Sequence, residues 1–181
     1  MPTYFAAITP PEDIIDAVEP LQKGIEGVNW APLDNLHITV GYFGELNDEY
    51  AEILDRELAR APGYGFDMSL MGVDFFGLNR PHTLWLGVKD NPALNRLHKH
   101  VRSAARRSTI EMEARNFRPH LSLAYLRRGG YAKDDFERYI RRHVRFTSKA
   151  FLVDEFALYS VERHKHGSNT YVKEANYPLV G

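Results

Sequence analysis

Apolar residues crowd both faces of Thr3-Tyr4-Phe5-Ala6-Ala7-Ile8-Thr9, which predicts a central β-strand over 3–9. Pro10 and Pro11 end it and open a helix to about 23, with Ile14, Ile15, Val18 and Leu21 on one stripe. Gly24 and Gly27 stop that helix, and a loop carrying Trp30 and Pro32 leads to a strand over 36–43. Asn47 is placed to cap a helix over 48–60, acidic early at Glu49 and Glu52 and basic late at Arg56 and Arg60. Residues 66–76 read as one long strand. The order then repeats: a strand over 82–88, and a helix from Pro92 to Arg107 that buries Leu94, Leu97 and Val101. A strand over 120–126 is broken by Gly129 and Gly130, then come a helix over 134–143 and a strand over 149–161. Strands or a hairpin at 170–174 and 177–180 close the chain.

The two halves match segment by segment. Thr3-Tyr4-Phe5-Ala6-Ala7-Ile8 lines up with Thr83-Leu84-Trp85-Leu86-Gly87-Val88 at an offset of 80. Phe66, Val73-Asp74 and Phe76 line up with Phe146, Val153-Asp154 and Phe156 at the same offset. The closest match is His37-Ile38-Thr39-Val40-Gly41-Tyr42-Phe43 with His120-Leu121-Ser122-Leu123-Ala124-Tyr125-Leu126, 83 residues later. Ordered matches of this kind predict an internal duplication. The expected fold class is α+β: one bilobal domain over 1–181, with repeats at about 3–76 and 82–161 and the closing strands to 181. Two mostly antiparallel sheets with outer helices would surround a central cleft.

Composition narrows the chemistry. A hydrophobic fraction of 44% and a charged fraction of 26% suit a globular domain. Twenty-three Lys and Arg against twenty-four Asp and Glu leave a net charge of −1, so no global positive field holds long nucleic acid. The chain has no cysteine, which removes disulfides, thiolate nucleophiles and cysteine zinc sites, and fits a reducing cytoplasm. No basic stretch followed by an apolar run opens the chain, so no signal peptide is expected. No segment approaches ~18 uninterrupted apolar residues, so no membrane span is expected.

The paired strings carry the candidate chemistry. Strand alternation puts each histidine beside the hydroxyl two residues on, with Ile38, Val40, Leu121 and Leu123 facing a core. An imidazole titrates near neutrality, so one can donate a proton while the other accepts one. Thr39 and Ser122 would bind non-bridging phosphate oxygens. Gly41 and Ala124, further along the same face, would leave room for phosphate and sugar. This division of labour suits metal-independent cleavage of a phosphodiester, with an optimum between about pH 6 and 8.

At His37-Ile38-Thr39-Val40 and His120-Leu121-Ser122-Leu123 the chain resembles the two HxTx motifs of the two-histidine (2H) phosphoesterases. Within them it is most similar to the RNA 2′,3′-cyclic phosphodiesterases, first named 2′-5′ RNA ligases. The likeness extends over Tyr4 to Ile8, Asn35 to Glu45, Leu84 to Gly87, Phe117 to His120 and Val153 to Tyr159. The resemblance implies ring opening of an RNA 2′,3′-cyclic phosphate to a 2′-phosphate, with possible 2′-5′ ligase activity. It assigns His37 as proton donor and His120 as proton acceptor, with Thr39 and Ser122 on the phosphate. The residues themselves offer no carboxylate-rich oxygen cage and no three-ligand zinc set, so no metal and no cofactor are expected. Ser122 departs from the usual threonine but keeps the hydroxyl. Members often carry an arginine five residues past the second histidine, where this chain has Tyr125; Arg127 or Arg128 would replace it, Arg128 by alternation on the His120 face.

Other residues are read more plainly. His98 and His100 diverge on a helix and are expected to face solvent; Arg102, Arg106 and Arg107 are expected to form a solvated face. His164-Lys165-His166 is a basic loop. Phe5 and Trp85 are expected in the core, leaving Trp30 as the aromatic free to stack on a base. The partner is an RNA end or a small nucleotide, bound by a cytoplasmic monomer. Two alternatives stay open: a phosphodiesterase for a small cyclic nucleotide or 2′-5′ oligonucleotide, and a non-catalytic RNA- or nucleotide-binding module.

Overall fold

The computed structural model describes residues 1–60 and 63–180, so Gly181 at the end of the expected domain lies outside the described residues. In chain order the elements are β1 (Thr3–Ile8), α1 (Glu12–Val18), β2 (Asn29–Trp30), β3 (Ile38–Glu45), α2 (Asp48–Ala59), β4 (Phe66–Met68), β5 (Leu70–Phe76) and β6 (Thr83–Val88). There follow α3 (Pro92–Arg107), β7 (His120–Tyr125), α4 (Lys133–His143), β8 (Phe151–Val153), β9 (Glu155–Glu162) and β10 (Thr170–Pro178). The class is α+β, with antiparallel strands in two sheets.

Local chemistry sets most boundaries. The Asn47 side chain accepts a hydrogen bond from the Tyr50 N–H, and Asn91 accepts one from Leu94 N–H ahead of Pro92, so α2 and α3 are both capped. The first helix is shorter than its apolar stripe suggests. Pro20 has no N–H to continue the ladder, and the chain tightens to a 3₁₀ turn over Glu19–Leu21. Every residue of β1 is buried, as its two apolar faces require.

The larger sheet runs β10-β9-β1-β3-β7-β6-β5, with β2 added beside β7. Apart from β10 and β2, this order is symmetric about the β3/β7 seam, but the halves are interleaved. β5 from the first half pairs with β6, and β9 from the second half pairs with β1. The two strands expected over 66–76 and 149–161 therefore each break, at Ser69 and Asp154, and change sheets. Their first parts, β4 and β8, pair with each other as a separate ribbon, Phe66 opposite Val153 and Met68 opposite Phe151.

Pairing also corrects the offsets. Ala7 opposes Thr39 and Trp85 opposes Ser122, so Ala7 corresponds to Trp85, an offset of 78 and not 80. The ribbon matches Phe66 to Phe151, an offset of 85, and leaves Phe146 outside any strand. A slip of two residues keeps a strand's faces, which is why the apolar pattern alone does not reveal it. One core runs through the whole molecule, from Ile8 and Ile14 through Val40 and Leu54 to Leu121 and Phe156. No helix among the described residues is long and apolar enough to cross a membrane.

Candidate active site

β3 and β7 pair at one position, Ile38 opposite Leu121, both fully buried. In that antiparallel register His37 falls opposite Ser122, and Thr39 opposite His120, all four on the other face. Each imidazole therefore faces the hydroxyl of the other motif as well as the one on its own strand. As a diagonal pair the two histidines sit roughly 7–8 Å apart at Cα. Two cavities flank the seam. One, of about 730 Å³, joins His37 and Ser122 with Trp30, Tyr125, Arg127 and Tyr171. The other, of about 610 Å³, joins His120 and Thr39 with Tyr42, Phe76, His98 and Arg118.

The two imidazoles are oriented alike. His37 Nδ1–H donates to the Asn35 carbonyl at 2.6 Å, and His120 Nδ1–H donates to the Arg118 carbonyl at 2.8 Å. A carbonyl can only accept, so it fixes the proton on Nδ1 and leaves Nε2 for chemistry. Phe5 lies against His37 at 4.9 Å and Tyr171 meets it edge-on at 5.2 Å. Phe76 meets His120 edge-on at 4.9 Å, and Trp85 is tilted against it at 5.8 Å. Phe5 and Trp85 are core residues, as expected, but their ring faces are also the walls of the histidines. Trp85 Nε1 is buried with no hydrogen-bond partner among the described residues, so the ring contributes through its face.

Burial holds both imidazoles below the ordinary histidine range, because it disfavours the charged form. The His120 charge adds to that effect at His37, and the Arg118 guanidinium adds to it at His120. Arg118 itself lies over the Trp85 ring at 5.3 Å and the Phe76 ring at 5.9 Å. Burial, and after it the neighbouring Tyr125 phenol, pushes Tyr171 up to about 12, so it stays a hydroxyl donor.

A pair of β-bulges re-aims the residues beyond the hydroxyls. Against β1, Ala7 opposes Thr39 and Ala6 opposes Gly41, leaving Val40 as an extra residue. Against β6, Trp85 opposes Ser122 and Leu84 opposes Ala124, leaving Leu123 extra. The inserted residue reverses the alternation. Ala124 is consequently buried in the core, and although Gly41 borders the His120 cavity, a Cβ on it would point into the core, 2.5 Å from Val101 Cγ1. Tyr42 and Tyr125 instead come to the cleft face, one in each cavity. The carbonyls of the inserted residues are satisfied from outside the ladder. Val40 O accepts from His98 Nδ1–H at 2.8 Å, and Leu123 O accepts from the Ala31 N–H at 2.9 Å and Gln22 Nε2 at 3.2 Å.

His98 thus does not face solvent: it is half-buried and stacked on Phe117 at 4.0 Å. Trp30 and Arg127 line the His37 cavity. Arg128 does not reach the His120 face, because β7 ends at Tyr125 and Gly130 N–H closes a turn onto Arg127 O at 3.0 Å. Alternation has no meaning past that point, and Arg128 lines a separate cavity. Gly27 backs the turn with φ 79°, and any Cβ there would strike Gly130 O. Arg107 is paired with Glu57 across α2 and α3, a structural use. Asn35 Nδ2 donates to Asn169 O at 2.8 Å, which pins the 163–169 loop beside His37. Arg118, Tyr171 and Tyr125 are the cleft residues that sequence reading passes over; the Phe117 to His120 run was the available signal for the first.

The model of the 2′-5′ RNA ligase superfamily matches residues 10–165. The chain belongs to that superfamily. A Bacillus subtilis RNA 2′,3′-cyclic phosphodiesterase is 28% identical over 187 aligned residues, covering 98% of this chain and 97% of the relative. The protein of the same name from Thermotoga maritima is 26% identical, covering 80% and 76%. The fold matches Escherichia coli LigT, solved in complex with 3′-AMP, at a TM-score of 0.81 and 24% identity over both whole chains.

Proposed function

We propose that this superfamily member opens RNA 2′,3′-cyclic phosphate ends to 2′-phosphates. The observation that carries it is the crossed register, which sets His37 opposite Ser122 and Thr39 opposite His120 on one face of the seam. In the reaction His120 Nε2 takes a proton from water as its oxygen attacks phosphorus. His37, protonated at Nε2, gives its proton to O3′ as the P–O3′ bond breaks. Each transfer is worth ~10²–10⁴ in rate. Thr39 and Ser122 hold the non-bridging oxygens. The proposed chemistry uses the two imidazoles and no metal ion. The absence of cysteine fits a cytoplasmic enzyme.

Incubation with an oligoribonucleotide ending in a 2′,3′-cyclic phosphate should yield the 2′-phosphate, with full activity in excess EDTA. A 3′-phosphate product would reverse the roles of the leaving oxygens. Loss on chelation, restored by a divalent cation, would replace the two-histidine mechanism with a metal one.

A further inference from the structure

A third cavity, of about 990 Å³, lies between the β5–β6 turn, the 126–131 turn and α4. Its floor is aromatic and aliphatic. Phe75 meets Phe136 edge-on at 5.1 Å, Tyr131 lies against Phe136 at 5.5 Å, and Ile140 is half-buried beside them. Its rim is basic, with Arg80, Arg128, Lys133 and Arg141 against a single carboxylate, Glu137. Lys133 is paired with Glu137 at 3.7 Å; among the described residues Arg80, Arg128 and Arg141 have no acidic partner. Three unneutralised guanidiniums in a chain of net charge −1 are a local field, not a property of the whole surface. The cavity also adjoins the candidate site. His82 lines both it and the His120 cavity, and the Phe76 ring lies 6.4 Å from the His82 ring and 4.9 Å from the His120 ring.

We infer that this cavity docks the single-stranded RNA leading to the reacting end, its phosphates on the arginines and its bases on the aromatic floor. The inference rests on the proposed reaction, which holds the 3′ end of the same strand at the histidines. An apolar, aromatic cavity floor beside cations suits unstacked nucleotides. Leu78, 88% exposed on the rim, extends the apolar surface. An acidic peptide would satisfy the arginines but has no end to place against His120.

The test uses the charge-reversed double variant Arg80→Glu/Arg141→Glu, with Arg80→Lys/Arg141→Lys as the charge-conserving control. Binding of a short fluorescent single-stranded oligoribonucleotide is followed by anisotropy across a salt series. Turnover is followed on a cyclic-ended oligoribonucleotide and on a nucleoside 2′,3′-cyclic phosphate. The double reversal should weaken oligonucleotide binding about tenfold or more and flatten the salt slope by roughly 1.4, the value for two lost single-strand phosphate contacts. KM for the oligonucleotide should rise with kcat kept, and the cyclic mononucleotide should be turned over as before. Unchanged oligonucleotide binding, equal losses on both substrates, or displacement of the RNA by an acidic peptide at matching concentration would each overturn the inference. If the unaltered protein hydrolyses neither substrate, the proposed reaction fails; the anisotropy series still decides the docking site.

Discussion

An imidazole whose Nδ1–H is committed to a carbonyl has one nitrogen left, and at His37 and His120 that nitrogen carries the proposed reaction. His37→Ala and His120→Ala should each lower kcat/KM by ~10²–10⁴, and the double variant should lose far less than the product of the two. Thr39→Ala and Ser122→Ala should cost about 1–3 kcal/mol of transition-state stabilisation, read from kcat/KM. The pH profile follows from the direction of the pKa shifts. Burial lowers both imidazoles below 6.5, so the free protein's singly protonated window lies on the acid side of that value. The maximum of kcat/KM, which reports the free enzyme, should then fall below about pH 6.5. A bound phosphate favours imidazolium and moves the kcat profile upward, toward the neutral optimum that ordinary histidines suggest. Coincident maxima for kcat and kcat/KM would contradict this account.

The two bulges decide what the central strands show to the cleft. Gly41→Ala should destabilise by about 1–3 kcal/mol in urea unfolding, because its Cβ would meet the β-branched, helix-bound Val101. Pairing it with Val101→Ala should lose less than the sum of the single changes. His98→Leu should cost about 1–3 kcal/mol by leaving the buried Val40 carbonyl unpaired. These elements also mark how far the sequence could be read. The paired HxTx strings, the strands holding them and the capped helices were legible because each rests on local periodicity or a local cap. The bulges were not, since Val40 and Leu123 look like ordinary inward ladder residues until β1 and β6 are in place. His98 shares that fate: its partner is a carbonyl 58 residues away, exposed only by the bulge. Arg128 was misplaced for the complementary reason, a strand assumed to continue where a turn begins.

Across the whole molecule, no half has a complete sheet of its own. β1 is flanked by β3 from its own half and β9 from the other, while β5 leans on β6. Fragments covering 1–80 and 81–181 should each lack cooperative unfolding by circular dichroism when made alone, and should regain one transition when co-expressed. The same long-range ladders place folding on the slow side, in the millisecond-to-second range of non-local β topologies. The exchange of β5 and β9 has a further consequence. Two separate copies of such a half could satisfy their open edges only by trading a strand, as exchanged homodimers do. The single chain is therefore the geometry of a strand-traded pair with a covalent tether, and the proposed reaction centre sits where the two partners of that pair would touch.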